Sequence, residues 1–233
     1  VTAKRIAWGK YTNAGQTCVA PDYILVNKKI KKQFVQKISE VIKEFFGEDP
    51  SKSNDFGRIV TDRHFERVKR LIDGNVILGG KTDKEQKYIA PTIIDNVKAG
   101  DKVMQEEIFG PIMPIIEYEK TEDAIEFINQ RERPLAMYIF SKNDKFVEKI
   151  LHETTSGGVC VNDVMLHLGN VRLPFGGIGS SGMGAYNGRI GFETFSHKRA
   201  VLKRSFWFDV KQRYAPYTQG KLNFIRFAVR KLL

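Results

Sequence analysis

The sequence predicts an α/β fold, an open and mostly parallel twisted sheet with flanking helices. Short apolar runs alternate with amphipathic segments from Tyr23 to Asn162, the order that builds crossover units and a parallel sheet. The two longest-patterned helical segments carry their own punctuation, with Asn27 and Thr61 ahead and Gly47 and Gly74 behind. At 233 residues and 42% hydrophobic, the chain can bury a full core in one large domain or two small ones.

In order, Lys4 to Lys10 reads as helix, ended by the polar Tyr11-Thr12-Asn13-Ala14-Gly15. Tyr23 to Val26 is a short strand. Asn27 then caps a long helix whose apolar positions Ile30, Phe34, Ile38, Val41, Ile42 and Phe45 recur at steps of three and four. Asp49 to Asp55 is a loop. Thr61 caps a helix carrying Phe65, Val68 and Ile72. Val76 to Leu78, Ile89 to Val97 and Ile112 to Tyr118 read as strands, the last with Pro111 and Pro114 near its start. Thr121 opens a helix through Ile125 and Ile128, Leu135 to Phe140 is a strand, Asp144 to Glu153 a helix, and Val159 to Asn162 a strand. After Leu173 glycine dominates, and Gly188 and Gly191 oppose a helix there. Lys198 to Lys203 is a further strand, and Leu222 onward a short basic amphipathic helix.

A net charge of +11 raises nucleic acid or an anionic membrane as partners. Most Lys and Arg are interleaved with acids on helix faces, as in Lys28 to Lys43, and no nucleic-acid motif accompanies them. We therefore expect a solvated basic surface and no nucleic-acid partner, with an anionic dinucleotide as one beneficiary. No apolar run approaches the roughly 18 residues a bilayer span requires. Two cysteines, Cys18 and Cys160, make no disulfide framework, which fits a reducing compartment such as the cytoplasm. The histidines, His64, His152, His167 and His197, lack metal-ligand spacing. Each reads as a surface or hydrogen-bonded core residue, and no metal is expected.

Cys160 lies between Val159 and Val161 and fits a small buried hydrophobe. Cys18 does not, because it follows Asn13, Gln16 and Thr17 at a Gly-containing helix break. A loop thiolate can attack a carbonyl while backbone N–H groups meet the oxyanion. The string Gly9-Lys10-Tyr11-Thr12-Asn13-Ala14-Gly15-Gln16-Thr17-Cys18 resembles the active-site cysteine segment of aldehyde dehydrogenases. Its continuation, Ala20-Pro21-Asp22-Tyr23, resembles the class 3, fatty-aldehyde type. Taken alone, Gln105-Glu106-Glu107 reads as a solvated acid pair ahead of a strand. Glu107-Ile108-Phe109-Gly110-Pro111 resembles the same family, which implies that Glu107 binds the nicotinamide ribose and Phe109 contacts the ring. Gly177, Gly179 and Gly182 satisfy GxGxxG, yet a dinucleotide fingerprint needs a helix after it, and the Gly-rich stretch that follows opposes one. These glycines are expected to let backbone segments pass closely. The resemblance further implies that Phe175 lines the aldehyde pocket and that Asn162 supports the active site, although a loop-capping Asn is equally consistent with its setting.

The resemblance runs from about Lys4 to Arg204 and implies a carboxyl-terminal half. The start, Val1-Thr2-Ala3-Lys4, reads as mid-helix and so as a cut. The nucleotide-binding domain, the glutamate general base and the oxyanion asparagine are expected upstream, and the piece alone is expected to be inactive. The implied organisation is a catalytic domain over 1–178, a return segment over 179–195 that packs on the nucleotide domain, an oligomerisation strand over 196–206 and a basic tail over 207–233. The implied activity is NAD- or NADP-dependent oxidation of medium- or long-chain or aromatic aldehydes, in a homodimer joined through 196–206. The tail is expected to touch a membrane surface or to dock on the protein itself. Two other readings stand beside this: a non-catalytic relative that keeps the fold, and a cofactor-free cysteine acyltransferase or hydrolase. The latter lacks a His–Asp pair near Cys18 to act as base and orienter.

Overall fold

A computed structural model describes residues 1–232. They form two compact units, Val1–Ser196 and a second from His197 onward. The strands are β1 (Ile24–Asn27), β2 (Asn75–Leu78), β3 (Thr82–Asp83), β4 (Tyr88–Ile89), β5 (Thr92–Asp95), β6 (Ile112–Tyr118), β7 (Ala136–Ile139) and β8 (Gly158–Val161). The helices are α1 (Thr2–Tyr11), α2 (Lys28–Phe46), α3 (Asp62–Lys69), α4 (Thr121–Asn129), α5 (Asp144–Glu153), α6 (Leu166–Gly169), α7 (Gly188–Thr194) and α8 (Gln219–Leu232).

The principal sheet has the order β1-β6-β5-β2, with β6 parallel to both β1 and β5 and β2 antiparallel at the edge. A second parallel pair joins β7 to β8, and β3 and β4 form a small antiparallel ribbon. The predicted α/β class with flanking helices therefore holds. The buried run Ile112 to Ile116 explains why β6 is central: Met113 and Ile115 enter the core under α1 and α2, while Ile112 and Ile116 enter the one under α3. Side chains of period two thus feed both faces of a covered sheet. Pro114 has no N–H to give a ladder. It sits where β6 ends its pairing with β5, at Ile94, and begins its pairing with β1, at Ile115.

Three of the four expected caps hold; α3 instead ends at Lys69 with Arg70 as its C-cap, before Ile72 and Gly74. Asn27 accepts from the Lys29 N–H, Thr61 accepts from the His64 N–H, and Gly47 ends α2 at φ 77°. Several expectations need correction. Ile30 is 54% exposed, because it lies on the first turn of α2, outside the buried stripe. The expected strand from Ile89 to Val97 is two strands, interrupted at Ala90 and Pro91. Residues 188–194 form a helix despite their glycines. An Arg189–Glu193 ion pair at 2.8 Å and a Thr194 hydroxyl bond to the Ala185 carbonyl at 2.8 Å offset the poor propensity. Residues 198–203, expected as a strand, carry none.

Candidate active site

The break after α1 is built from three consecutive left-handed residues, Asn13 at φ 54°, Ala14 at φ 52° and Gly15 at φ 75°. Only glycine suits the third position, since a Cβ there would stand 2.2 Å from the Gly110 carbonyl oxygen. Buried Gln16 anchors the next step. Its amide donates to the carbonyls of Asn13 at 3.0 Å and Arg58 at 2.9 Å, and its oxygen accepts from the Val60 N–H at 3.1 Å. Cys18 then emerges exposed on a turn closed by the Ala20 N–H donating to the Thr17 carbonyl at 2.9 Å. Behind it Val19 is buried, and its carbonyl accepts from the Tyr138 hydroxyl at 2.5 Å. Strain of this kind persists only when surrounding contacts over-determine it, and here they arrive from three sides.

The loop 106–110 lies against the same turn through Gly110. Its Ile108 N–H donates to the Asp22 carboxylate at 3.0 Å, four residues after Cys18. Glu107 is exposed as a whole residue, but the loop partly desolvates its carboxyl, which together with the charge of Asp22 raises its pKa against the opposing pull of Arg67 and Lys10. Lys10 is fully buried on α1. Burial pushes its ammonium down to about 8, against the attraction of Asp22 and Glu107. Burial also raises Asp22, outweighing Lys10, the Ile108 N–H and Arg67. Phe109 holds φ 45°, its carbonyl 2.7 Å from His64 Nε2 and its ring edge-on to the His64 ring at 5.9 Å. Arg67 donates to the carbonyls of Glu107 at 3.0 Å and Ile108 at 2.5 Å and pairs with Glu106 at 3.1 Å.

An open groove of about 1470 Å³ runs past this region, and Cys18, Glu107, Tyr138 and Ser181 line it. The nucleophile candidate and the carboxylate candidate therefore face one space. An exposed carboxylate can accept from two vicinal hydroxyls, and an aromatic ring can lie against a flat heterocycle; Phe109, two residues beyond Glu107, is not among the residues that line this groove. These residues fit a nicotinamide nucleotide. Phe175, expected to line the aldehyde pocket, is not among the residues that line this groove. It is 8% exposed, bridges to Tyr186 through paired 2.9 Å backbone bonds, and meets the His167 ring at 6.0 Å. His167 in turn meets Tyr138 at 5.8 Å, so a row of rings runs from Phe175 to the turn that carries Cys18. Asn162, at φ 59°, spends its side chain on Ser141, accepting from its N–H at 2.9 Å and donating to its carbonyl at 2.8 Å. Its own carbonyl takes a bond from Arg5 on α1.

The glycine segment behaves as expected of close backbone passage. A Cβ on Gly176 would come within 2.1 Å of the Gly184 carbonyl oxygen, and one on Gly177 equally close to that of Ser181. One histidine expectation changes. His64 is hydrogen-bonded on both nitrogens, to the loop and to Arg67, as expected. His167 is buried with neither ring nitrogen bonded, so it is not a satisfied core histidine. Lys10, His64, Arg67 and Tyr138 are site residues that the sequence reading assigned no role. The sole signal for Lys10 was its place inside the cysteine string.

The aldehyde dehydrogenase family model matches residues 1–201. "Aldehyde dehydrogenase, dimeric NADP-preferring" of Rattus norvegicus is 54% identical over 93% of this chain and 48% of its own length. "Aldehyde dehydrogenase family 3 member A2" of the same organism is 50% identical over 99% of this chain and 48% of its own. A solved structure described as the substrate-bound state of Staphylococcus aureus AldH superposes with a TM-score of 0.87 at 41% identity, covering 98% of this chain and 50% of that one. The chain thus spans about half the length of these relatives.

Proposed function

Given that this chain belongs to the aldehyde dehydrogenase family, we propose that Cys18 is the nucleophile of an NAD(P)-dependent oxidation of aldehydes to carboxylic acids, with Glu107 and Phe109 placing the nicotinamide nucleotide. The observation that carries this reading is the contact of Gly15 with Gly110, which holds the Cys18 turn beside the loop bearing Glu107 and Phe109. The Cys18 thiolate adds to the aldehyde carbon, forming a C–S bond and an oxyanion that the Cys18 backbone N–H can meet. A bound dinucleotide would supply the acceptor for the hydride that leaves that carbon. The collapsing oxyanion restores the carbonyl as a thioester on Cys18. Water then adds, the C–S bond breaks with the pair returning to sulfur, and acid and a proton leave. Glu107 would hold the nicotinamide ribose, and the Phe109 ring would contact the nicotinamide.

The relative named NADP-preferring and dimeric supports NADP as the cofactor and a homodimer for this protein too. Residues 196–206 are our candidate for the oligomerisation strand; a partner strand would supply the ladder that 198–203 lacks. Similarity to the class 3 pattern favours apolar aldehydes. In the full-length protein, Cys18→Ser is expected to abolish NADP-dependent aldehyde oxidation while circular dichroism stays unchanged, since oxygen replaces sulfur at an exposed site. Near-normal turnover in the purified variant would remove Cys18 from the mechanism.

A further inference from the structure

The most heavily constrained backbone near Glu107 is held by side chains from a helix 40 residues away in sequence. His64, Arg67 and Val68 occupy one face of α3, at spacings of three and four. Against that face lies the loop 106–110. Val68 presses on Gly110, where a Cβ would stand 2.8 Å from its Cγ1. Arg67 forks across the carbonyls of Glu107 and Ile108 while pairing with the Glu106 carboxylate. His64 takes the Phe109 carbonyl at 2.7 Å and the edge of the Phe109 ring. Four consecutive residues, 106 to 109, are each gripped by one helix.

Phe109 is what needs gripping. A bulky aromatic residue at φ 45° is strained, and it relaxes unless its surroundings forbid it. The clamp also dictates its own chemistry. Arg67 Nε has only hydrogens to give, so His64 Nδ1, 3.4 Å away, must accept. His64 Nε2 then carries the ring proton and donates to Phe109. The imidazole is thereby a neutral, single-tautomer spacer whose two bonds transmit the position of Arg67 to Phe109.

We propose that His64 and Arg67 are positioning residues for hydride transfer: they hold Phe109 in its strained conformation and so fix where its ring and the Glu107 carboxylate meet the nicotinamide nucleotide. The proposal rests on the cofactor reading above. It assigns neither residue a contact with the substrate or with sulfur. Its consequence is a split between two reactions of Cys18. Aldehyde oxidation needs hydride geometry, whereas hydrolysis of an activated ester needs only the thiol and water.

The test uses the full-length protein with saturating NADP, a deuterated and a protiated aromatic aldehyde in single-turnover mode, and p-nitrophenyl acetate as the ester. His64→Ala is expected to slow hydride transfer by about 10- to 100-fold, the usual cost of a displacement near 1 Å, and to enlarge the deuterium isotope effect. Ester hydrolysis should stay within about twofold, which also reports an intact fold. His64→Gln, which keeps a neutral N–H donor and an acceptor, should recover most of the lost rate. Arg67→Lys, which loses the fork, should not match Arg67. Equal losses in both reactions would reduce the pair to a structural role and overturn the proposal, as would an unchanged hydride rate in His64→Ala. Glu107→Gln and Phe109→Ala run alongside. If those two leave hydride transfer untouched, the cofactor reading has failed; if they slow it and His64→Ala does not, the clamp alone has failed.

Discussion

The Cα of Gly15 lies so close to the Gly110 carbonyl that a single added methyl would stand 2.2 Å from its oxygen. Two segments almost a hundred residues apart therefore meet at bare backbone, one leading to Cys18 and the other leaving Phe109. Gly15→Ala is expected to cost stability on the order of 2 kcal/mol or more, since it adds both a clash and a disfavoured φ. The Cys18 turn should also move away from the loop, so alkylation of Cys18 and aldehyde turnover should change together. Denaturant unfolding and iodoacetamide kinetics check the two parts. An alanine variant with wild-type values in both would show that the contact does not set the site.

Lys10 makes a pH prediction. Its ammonium is buried and held near 8 instead of 10.5. Between those values the unfolded chain binds the proton and the folded one does not. Stability associated with Lys10 is therefore fully present above pH 10.5 and is lost as pH falls through 8. The displacement corresponds to roughly 3 kcal/mol as an upper figure. Lys10→Met removes this dependence. Its stability relative to wild type should be greatest at pH 7 and shrink steadily toward pH 10 in denaturant titrations. A constant difference over that range would mean that Lys10 is not desolvated as the structure has it.

How much of this was legible in the sequence depends on which kind of contact carried it. The cores under α2 and α3 were readable, because the period-two run Ile112 to Ile116 and the helix caps Asn27 and Thr61 are local signals. Cys18 stood out because its neighbours are polar. Glu107 and Phe109 were visible through family resemblance alone, since an acid before a strand is chemically unremarkable. His64 and Arg67 looked like ordinary charges on a helix, because their partners are carbonyls about 40 residues on and carbonyls have no sequence signature. The helix at 188–194 was hidden for a similar reason: propensity reads glycine, whereas the Arg189–Glu193 pair and the Thr194 bond to Ala185 are made only after the chain has turned back.

His167 should report on acid stability. It is 7% exposed, neither ring nitrogen has a partner, and burial lowers its pKa from 6.5. A base depressed in this way is neutral in the folded state, so its contribution is present above pH 6.5 and lost as pH falls through the lowered value. Replacing it with an apolar ring removes two unpaired polar atoms between Tyr138 and Phe175. His167→Phe is expected to gain about 1 kcal/mol near neutrality and to flatten the decline of stability below pH 6.5. Thermal melts at pH 5, 6 and 7 decide this. A variant less stable at every pH would point to a hydrogen-bonding role for the imidazole.

The second unit ends in α8, whose faces differ sharply. Leu222, Phe224, Ile225, Phe227 and Val229 are all exposed, with Lys221, Arg226, Arg230 and Lys231 supplying positive charge. Upstream, Phe206 and Trp207 are fully exposed too. No helix among the described residues is long and apolar enough to cross a membrane. An apolar stripe flanked by cations is suited to the headgroup plane of an anionic bilayer, where buried rings and surface charge add. Co-sedimentation of the full-length protein with phosphatidylserine-containing liposomes should therefore depend on residues 221–233 and weaken as salt rises from 50 to about 500 mM, as screening at a Debye length of a few ångströms requires. Neutral liposomes should bind less. If deleting 221–233 leaves lipid binding unchanged but splits the oligomer, the stripe is a docking face for the protein itself.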